Sequence, residues 1–218
     1  MNMEDKAIVI VAAKRTPSGA LLGCLSNISA PNLGAAAHVA AYEAAGISPA
    51  LIDEVISGCV LSAGLGQAPA RQAALYANLP DSTPATTINK MCGSGMKAVM
   101  LAHDAIRAGS AKCVLAGGME NMSRAPYLVP KARMGYRLGH GQLIDHLFLD
   151  GLEDAYEPGT LMGVFADRTA KNLDISRAAQ DAFAALSMQR ALNAQQAGAF
   201  DKEITPVLEI TQDESPHA

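Results

Sequence analysis

The stretch from Ala85 to Met100, ATTINKMCGSGMKAVM, permits few folds. Its β-branched opening, Thr86, Thr87 and Ile88, favours an extended strand. Asn89 to Gly95 carries turn chemistry, and the Ala- and Met-rich run that follows spaces its apolar residues as a helix does. The segment reads as strand, elbow and helix, with Cys92 where the strand stops and the helix starts. Unpaired amides and the positive end of a helix favour an anion there, so the thiolate is expected to form more easily than in a free cysteine. Gly93 and Gly95 are expected to let the backbone turn tightly and to leave one side of the sulfur open. That arrangement suits a nucleophile. A cysteine beside a strand can equally be a small core residue without chemistry, and the elbow alone leaves both readings open.

Around this element the chain alternates. Ala7 to Ala13 (AIVIVAA) is a continuous apolar run, as in a strand covered on both faces. Pro31 to Ala45 reads as a helix capped by Ser29 or Asn32, a short turn starts at Ser48-Pro49, and Glu54 to Leu61 is the next strand. Pro69 to about Tyr76 is a second helix, and Lys112 to Ala116 a further strand. This order predicts an α/β fold with parallel connections, whose ligand sites gather at strand carboxyl ends. The glycine-rich Ser62 to Gln67 contains neither GxGxxG nor a P-loop lysine, so no phosphate loop is expected. From Arg124 to Glu157 prolines, glycines and scattered charges show no period, as in a functional or interaction loop. A boundary near residue 122 divides the chain into domains 1–122 and 123–218. In the second, Leu161 to Leu173 and Ser176 to Ala197 read as helices, the latter carrying Ala179, Phe183, Leu186 and Met188. Glu203 to Ile210 reads as an edge strand because Pro206 cannot donate to a central ladder.

With 218 residues, half of them hydrophobic, the chain has ample material for a core. Its net charge of −4, its lack of tryptophan and the scatter of Lys131, Arg133 and Arg137 argue against a nucleic-acid partner. No run is long enough to span a membrane, and Asp5 and Lys6 precede the first apolar stretch where a signal peptide would differ, so the cytoplasm is expected. Cys24, Cys59, Cys92 and Cys113 form no CxxC pair, which predicts neither a zinc cage nor a disulfide framework. Cys59 and Cys113 lie in apolar runs and are expected in the core, while Cys24 is undecided. His38 and His103 fall in helices, His140 and His146 in the loop region and His217 near the end. Each is expected to be a surface or packed histidine rather than a base.

Asn89-Lys90-Met91-Cys92-Gly93-Ser94-Gly95, taken with Gly117-Gly118-Met119-Glu120-Asn121-Met122-Ser123, resembles the thiolase family, in particular its acetyl-CoA C-acetyltransferases. Gly66 to Ala73 (GQAPARQA), Arg15-Thr16-Pro17 and Asp150-Gly151-Leu152 are also similar, so the likeness runs along essentially the whole chain. The resemblance implies a thiolase-like α/β fold: an N-terminal lobe with a mixed, largely parallel sheet and helices on both faces, plus part of a loop domain. It implies that Cys92 takes an acyl group from coenzyme A as a thioester and passes it to acetyl-CoA or to free coenzyme A. The amide of Cys92 or of the glycines after it is then an expected oxyanion donor. Substrates are acetyl-CoA and acetoacetyl-CoA, with no separate cofactor or metal. A ketoacyl carrier-protein synthase would have a different sequence around its cysteine.

Two departures bear on mechanism. The family's Asn-Glu-Ala-Phe motif, its Gly-His-Pro histidine and its Cys-x-Gly acid or base cysteine are absent from this sequence, and no other histidine replaces the second of these. Turnover is therefore not expected of this chain alone. Leu161-Met162-Gly163 stands where many members have His-Met-Gly against the pantetheine arm, so Leu161 makes that pocket more apolar while Met162 matches. By resemblance the partners are a complementing C-terminal half or further copies in a dimer or tetramer, with contacts from Arg124 to Gln142. A non-catalytic interaction protein and a 3-ketoacyl-CoA thiolase of broader chain length are the alternatives.

Overall fold

The computed structural model describes residues 7–214, and His217 lies outside them. They form two compact units, one made of 7–126 with 203–214 and the other of 127–202.

In the first unit, β1 (Glu54–Gly58), β2 (Ala85–Ile88) and β3 (Val114–Gly118) make a parallel sheet in the order β2-β1-β3. Val55 pairs with Ala85 on one side and Leu115 on the other. The helices are α1 (Ala30–Ala44), α2 (Pro69–Tyr76) and α3 (Ser94–Arg107). Side chains alternate across β1: Val55 packs with Ala35 of α1 and Ala74 of α2, and Ser57 meets His38 of α1, whereas Gly58 faces Ser94 of α3. Helices therefore cover both faces. From β2 the chain crosses through α3 to β3 at the opposite edge, so β1 is the strand at which the winding reverses.

Small residues let these layers approach closely. Ala35, Ala74 and Ala77 join Ile52, Val55 and Leu79 in one cluster, in which the fully buried Val55 contributes about 2 kcal/mol of hydrophobic stabilisation. Ser29 caps α1 by accepting from the Asn32 amide, and Pro31 stands in its first turn, as the sequence predicts.

The strand ends differ from expectation for local reasons. β1 stops at Gly58 instead of Leu61 because the amides of Val60 and Leu61 turn to the Glu120 carboxylate, at 2.8 and 3.0 Å. β3 starts at Val114 instead of Lys112 because the amides of Lys112 and Cys113 donate to Asp53, at 2.6 and 3.0 Å. The expected strand from Ala7 to Ala13 does not form. Val9, Ile10 and Val11 are 67%, 76% and 63% exposed, and pairing begins only at Arg15, which bridges Ile204. A run apolar on both sides needs neighbours and cover, and the described residues supply neither there. Glu203 to Ile210 is likewise not a strand: it keeps that bridge and then closes a tight turn between Val207 and Ile210.

The second unit holds a short antiparallel pair, β4 (Tyr127–Leu128) with β5 (Ile144–Asp145), then a π-helical turn at Phe148–Leu152. α4 (Met162–Asn172) and α5 (Arg177–Gln196) follow, and Ser176 caps α5 through the Ala179 amide. Among its described residues only His146 is buried. Phe183, Leu186 and Met188 of α5 are exposed. No helix among the described residues is long and apolar enough to cross a membrane.

Candidate active site

The carboxyl ends of β1, β2 and β3 carry Gly58, Ile88 and Gly118, and α3 begins beside them. Its first turn comes close to the sheet: a Cβ on Gly58 would lie 2.5 Å from the Ser94 Cβ, and one on Gly118 would lie 3.3 Å from the Gly95 Cα. Only glycine fits at Gly58. Between β2 and α3 lies the elbow with Cys92, whose side chain is exposed one residue before the N-cap, Gly93.

The left-handed residue of this elbow is Met91, at φ +49°, whereas Gly93 sits at an ordinary φ of −87°. The sequence pointed to the glycines for the turn, but a non-glycine residue makes it. Its support comes from side chains. Asn89 Oδ1 accepts from the Met91 amide at 2.9 Å, Ser94 Oγ accepts from the Lys90 amide at 2.8 Å, and the Ser94 hydroxyl donates to the Met91 carbonyl at 2.6 Å. The Gly93 amide donates to the Lys90 carbonyl and the Ser94 amide to that of Met91, so Gly93 is corrected as an oxyanion donor: its N–H is spent on closing the turn.

Motif residues around the elbow act as braces. The Glu120 carboxylate holds the end of β1, and Asn121 Nδ2 donates to the Leu25 and Ile28 carbonyls at 3.0 and 2.6 Å. Arg71 donates to the Thr83 and Asp81 carbonyls, and Gln72 to those of Leu65 and Gln67. The sequence contained these residues without showing their tasks. Ser94 had one visible signal, a hydroxyl two positions after the cysteine and between two glycines.

The other cysteines are in different surroundings. Burial, helped by the Glu120 carboxylate 3.7 Å from its sulfur, pushes the Cys59 thiol up to about 12. Burial and Asp53 raise Cys113, and desolvation and Glu214 raise Cys24, which is exposed. Cys59 is a core residue as expected, and Cys113 is only partly covered. His38 is buried with Nε2 3.3 Å from Ser57 Oγ, and burial lowers it to about 4. His103 meets Asp104, and His146 Nδ1 lies 2.6 Å from Asp150 Oδ2. These three histidines meet Ser57, Asp104 and Asp150, and among the described residues no group of three or more His, Cys, Asp or Glu could hold a metal.

Leu161 and Met162 come together at the start of α4, where Leu161 is the N-cap residue and Met162 is exposed. They belong to the second unit and Cys92 to the first.

A parallel, doubly wound sheet with an exposed cysteine on the turn from β2 into α3 defines an α/β protein. The chain belongs to the thiolase family: the model of the thiolase N-terminal domain matches residues 8–217. It is 54% identical over 201 residues to an acetyl-CoA acetyltransferase of Cupriavidus necator, covering 92% of this chain and 51% of that protein. It is 50% identical over 205 residues to one of Pseudomonas aeruginosa, covering 94% and 51%. It is 46% identical over 200 residues to a probable acetyl-CoA acyltransferase of Staphylococcus aureus, covering 92% and 51%. The chain thus spans about half the length of these relatives.

Proposed function

We propose that this chain supplies the acyl-carrying half of an acetyl-CoA C-acetyltransferase, with Cys92 as the nucleophile. The observation that carries the reading is Cys92 itself, exposed on a braced elbow within a chain that is half identical to named acetyl-CoA acetyltransferases. The Cys92 thiolate attacks the carbonyl carbon of acetyl-CoA, and the coenzyme A thiolate leaves. A second acetyl-CoA, deprotonated at its methyl carbon, then attacks the Cys92 thioester. Acetoacetyl-CoA forms and the Cys92 thiolate is released; thiolysis is the reverse. The substrates are coenzyme A thioesters, and this chemistry calls for no resident cofactor or metal.

The base for the thiol and the acid or base for the second substrate come from residues that this sequence does not hold, in keeping with relatives about twice as long. A complementing C-terminal half supplies those residues, and the quaternary form is a homo-oligomer. Leu161 and Met162 line the pantetheine arm, and the cytoplasm is the compartment. A second reading, a thiolase of broader chain length, is favoured by the apolar Leu161 and by the name of the Staphylococcus aureus relative.

Co-purification with a second-half polypeptide carrying a Gly-His-Pro histidine, followed by an acetoacetyl-CoA assay, tests the proposal. Activity that needs both parts and Cys92 supports it. An assembled complex that is silent toward every acyl-CoA contradicts it.

A further inference from the structure

We propose that Ser94 is a positioning residue for Cys92: it clamps Met91 in the left-handed conformation that sets the direction of the thiol. Met91 stands immediately before Cys92, so its backbone angles orient the peptide from which the Cys92 side chain departs. At φ +49° a residue with a Cβ is disfavoured and persists only where its surroundings hold it. Ser94 does this from two sides. Its hydroxyl and its amide both donate to the Met91 carbonyl, at 2.6 and 2.9 Å, while its oxygen accepts from the Lys90 amide. Ser94 is itself fixed: it is 5% exposed, begins α3 and rests on Gly58, where an added Cβ would meet both its Cβ and its carbonyl carbon. The sheet holds Ser94, Ser94 holds Met91, and Met91 aims Cys92. That Cys92 carries acetyl rests on the function proposed above, but the hold on its thiol does not.

Iodoacetamide labelling needs no acetyl donor and tests the hold directly. In the full chain, peptide mass spectrometry reads the rate at Cys92 against exposed Cys24, while buried Cys59 reports unfolding. Ser94→Ala keeps the Cβ against Gly58 and removes the hydroxyl. The Cys92 to Cys24 ratio is expected to fall about fivefold, the factor that goes with a residue freed from the left-handed region. Adding Met91→Gly, which makes a positive φ costless, restores the ratio. Should Ser94→Ala unfold, Asn89→Ala at an exposed position releases the Met91 amide and shifts the ratio in the same direction. An unchanged ratio in a folded variant, or a fall that Met91→Gly does not reverse, overturns the proposal. Absence of acetylation at wild-type Cys92 in the completed protein would instead overturn the functional reading and leave the labelling result standing.

Discussion

At Cys92 the sulfur is exposed while the backbone before it is tied to Asn89 and Ser94. Cys92→Ser removes the thiolate and almost no volume, so acetyl transfer in the completed protein should fall to background with little change in circular dichroism. Transfer at the wild-type rate would contradict this. His38 offers a separate test through pH. Its value in the fold, about 4, lies below the ordinary 6.5, so the unfolded chain binds the proton first. Stability is then unaffected above about 6.5 and declines as pH falls toward 4, by on the order of 3 kcal/mol. His38→Asn should flatten that part of a urea-denaturation profile, and an unchanged slope would place the acid sensitivity elsewhere.

The elements depend on a few polar braces. Glu120→Ala leaves two amides at the end of β1 without their acceptor, a loss of about 1–3 kcal/mol for each one left buried. Gly58→Ala forces a methyl onto the first turn of α3 and should cost about 1–3 kcal/mol. Urea midpoints of the two variants check both, and a wild-type midpoint for Gly58→Ala would mean that α3 stands farther from the sheet. Local signals made most of the fold legible: Ser29 and Ser176 announce their helices, and the β-branched run announces β2. The ends of β1 and β3 were not legible, because carboxylates of Glu120 and Asp53, distant in sequence, take amides that a strand would use. Ala7 to Ala13 failed for a related reason, since its hydrophobicity states a need for cover without stating where the cover is. At the elbow the position of Cys92 was readable, but the left-handed turn at Met91 was not, because a hydroxyl three residues later replaces the freedom that glycine normally provides.

Across the first unit, Arg15 ties the beginning of the described chain to its end. Its guanidinium meets both Asp213 oxygens, at 2.6 and 2.9 Å, and its Nε meets Glu203. The Arg15 hydrogen bond holds the Asp213 carboxyl below its ordinary 3.8. That contribution is complete above pH 3.8 and is lost as pH falls through the lower folded value. Asp213→Asn should therefore lower the melting temperature at neutral pH and match wild type in strong acid; a constant difference would contradict the pairing. The same unit exposes Val9, Ile10 and Val11, and α3 shows Met96 and Met100 on the side away from the buried Ala98 and Ala102. Acyl transfer through Cys92 is tested most directly by the mass of the Cys92 peptide after brief exposure of the completed protein to acetyl-CoA and an acid quench. One acetyl group is expected on Cys92, removed by added coenzyme A; acetyl on another residue, or none, would contradict acyl transfer through this sulfur.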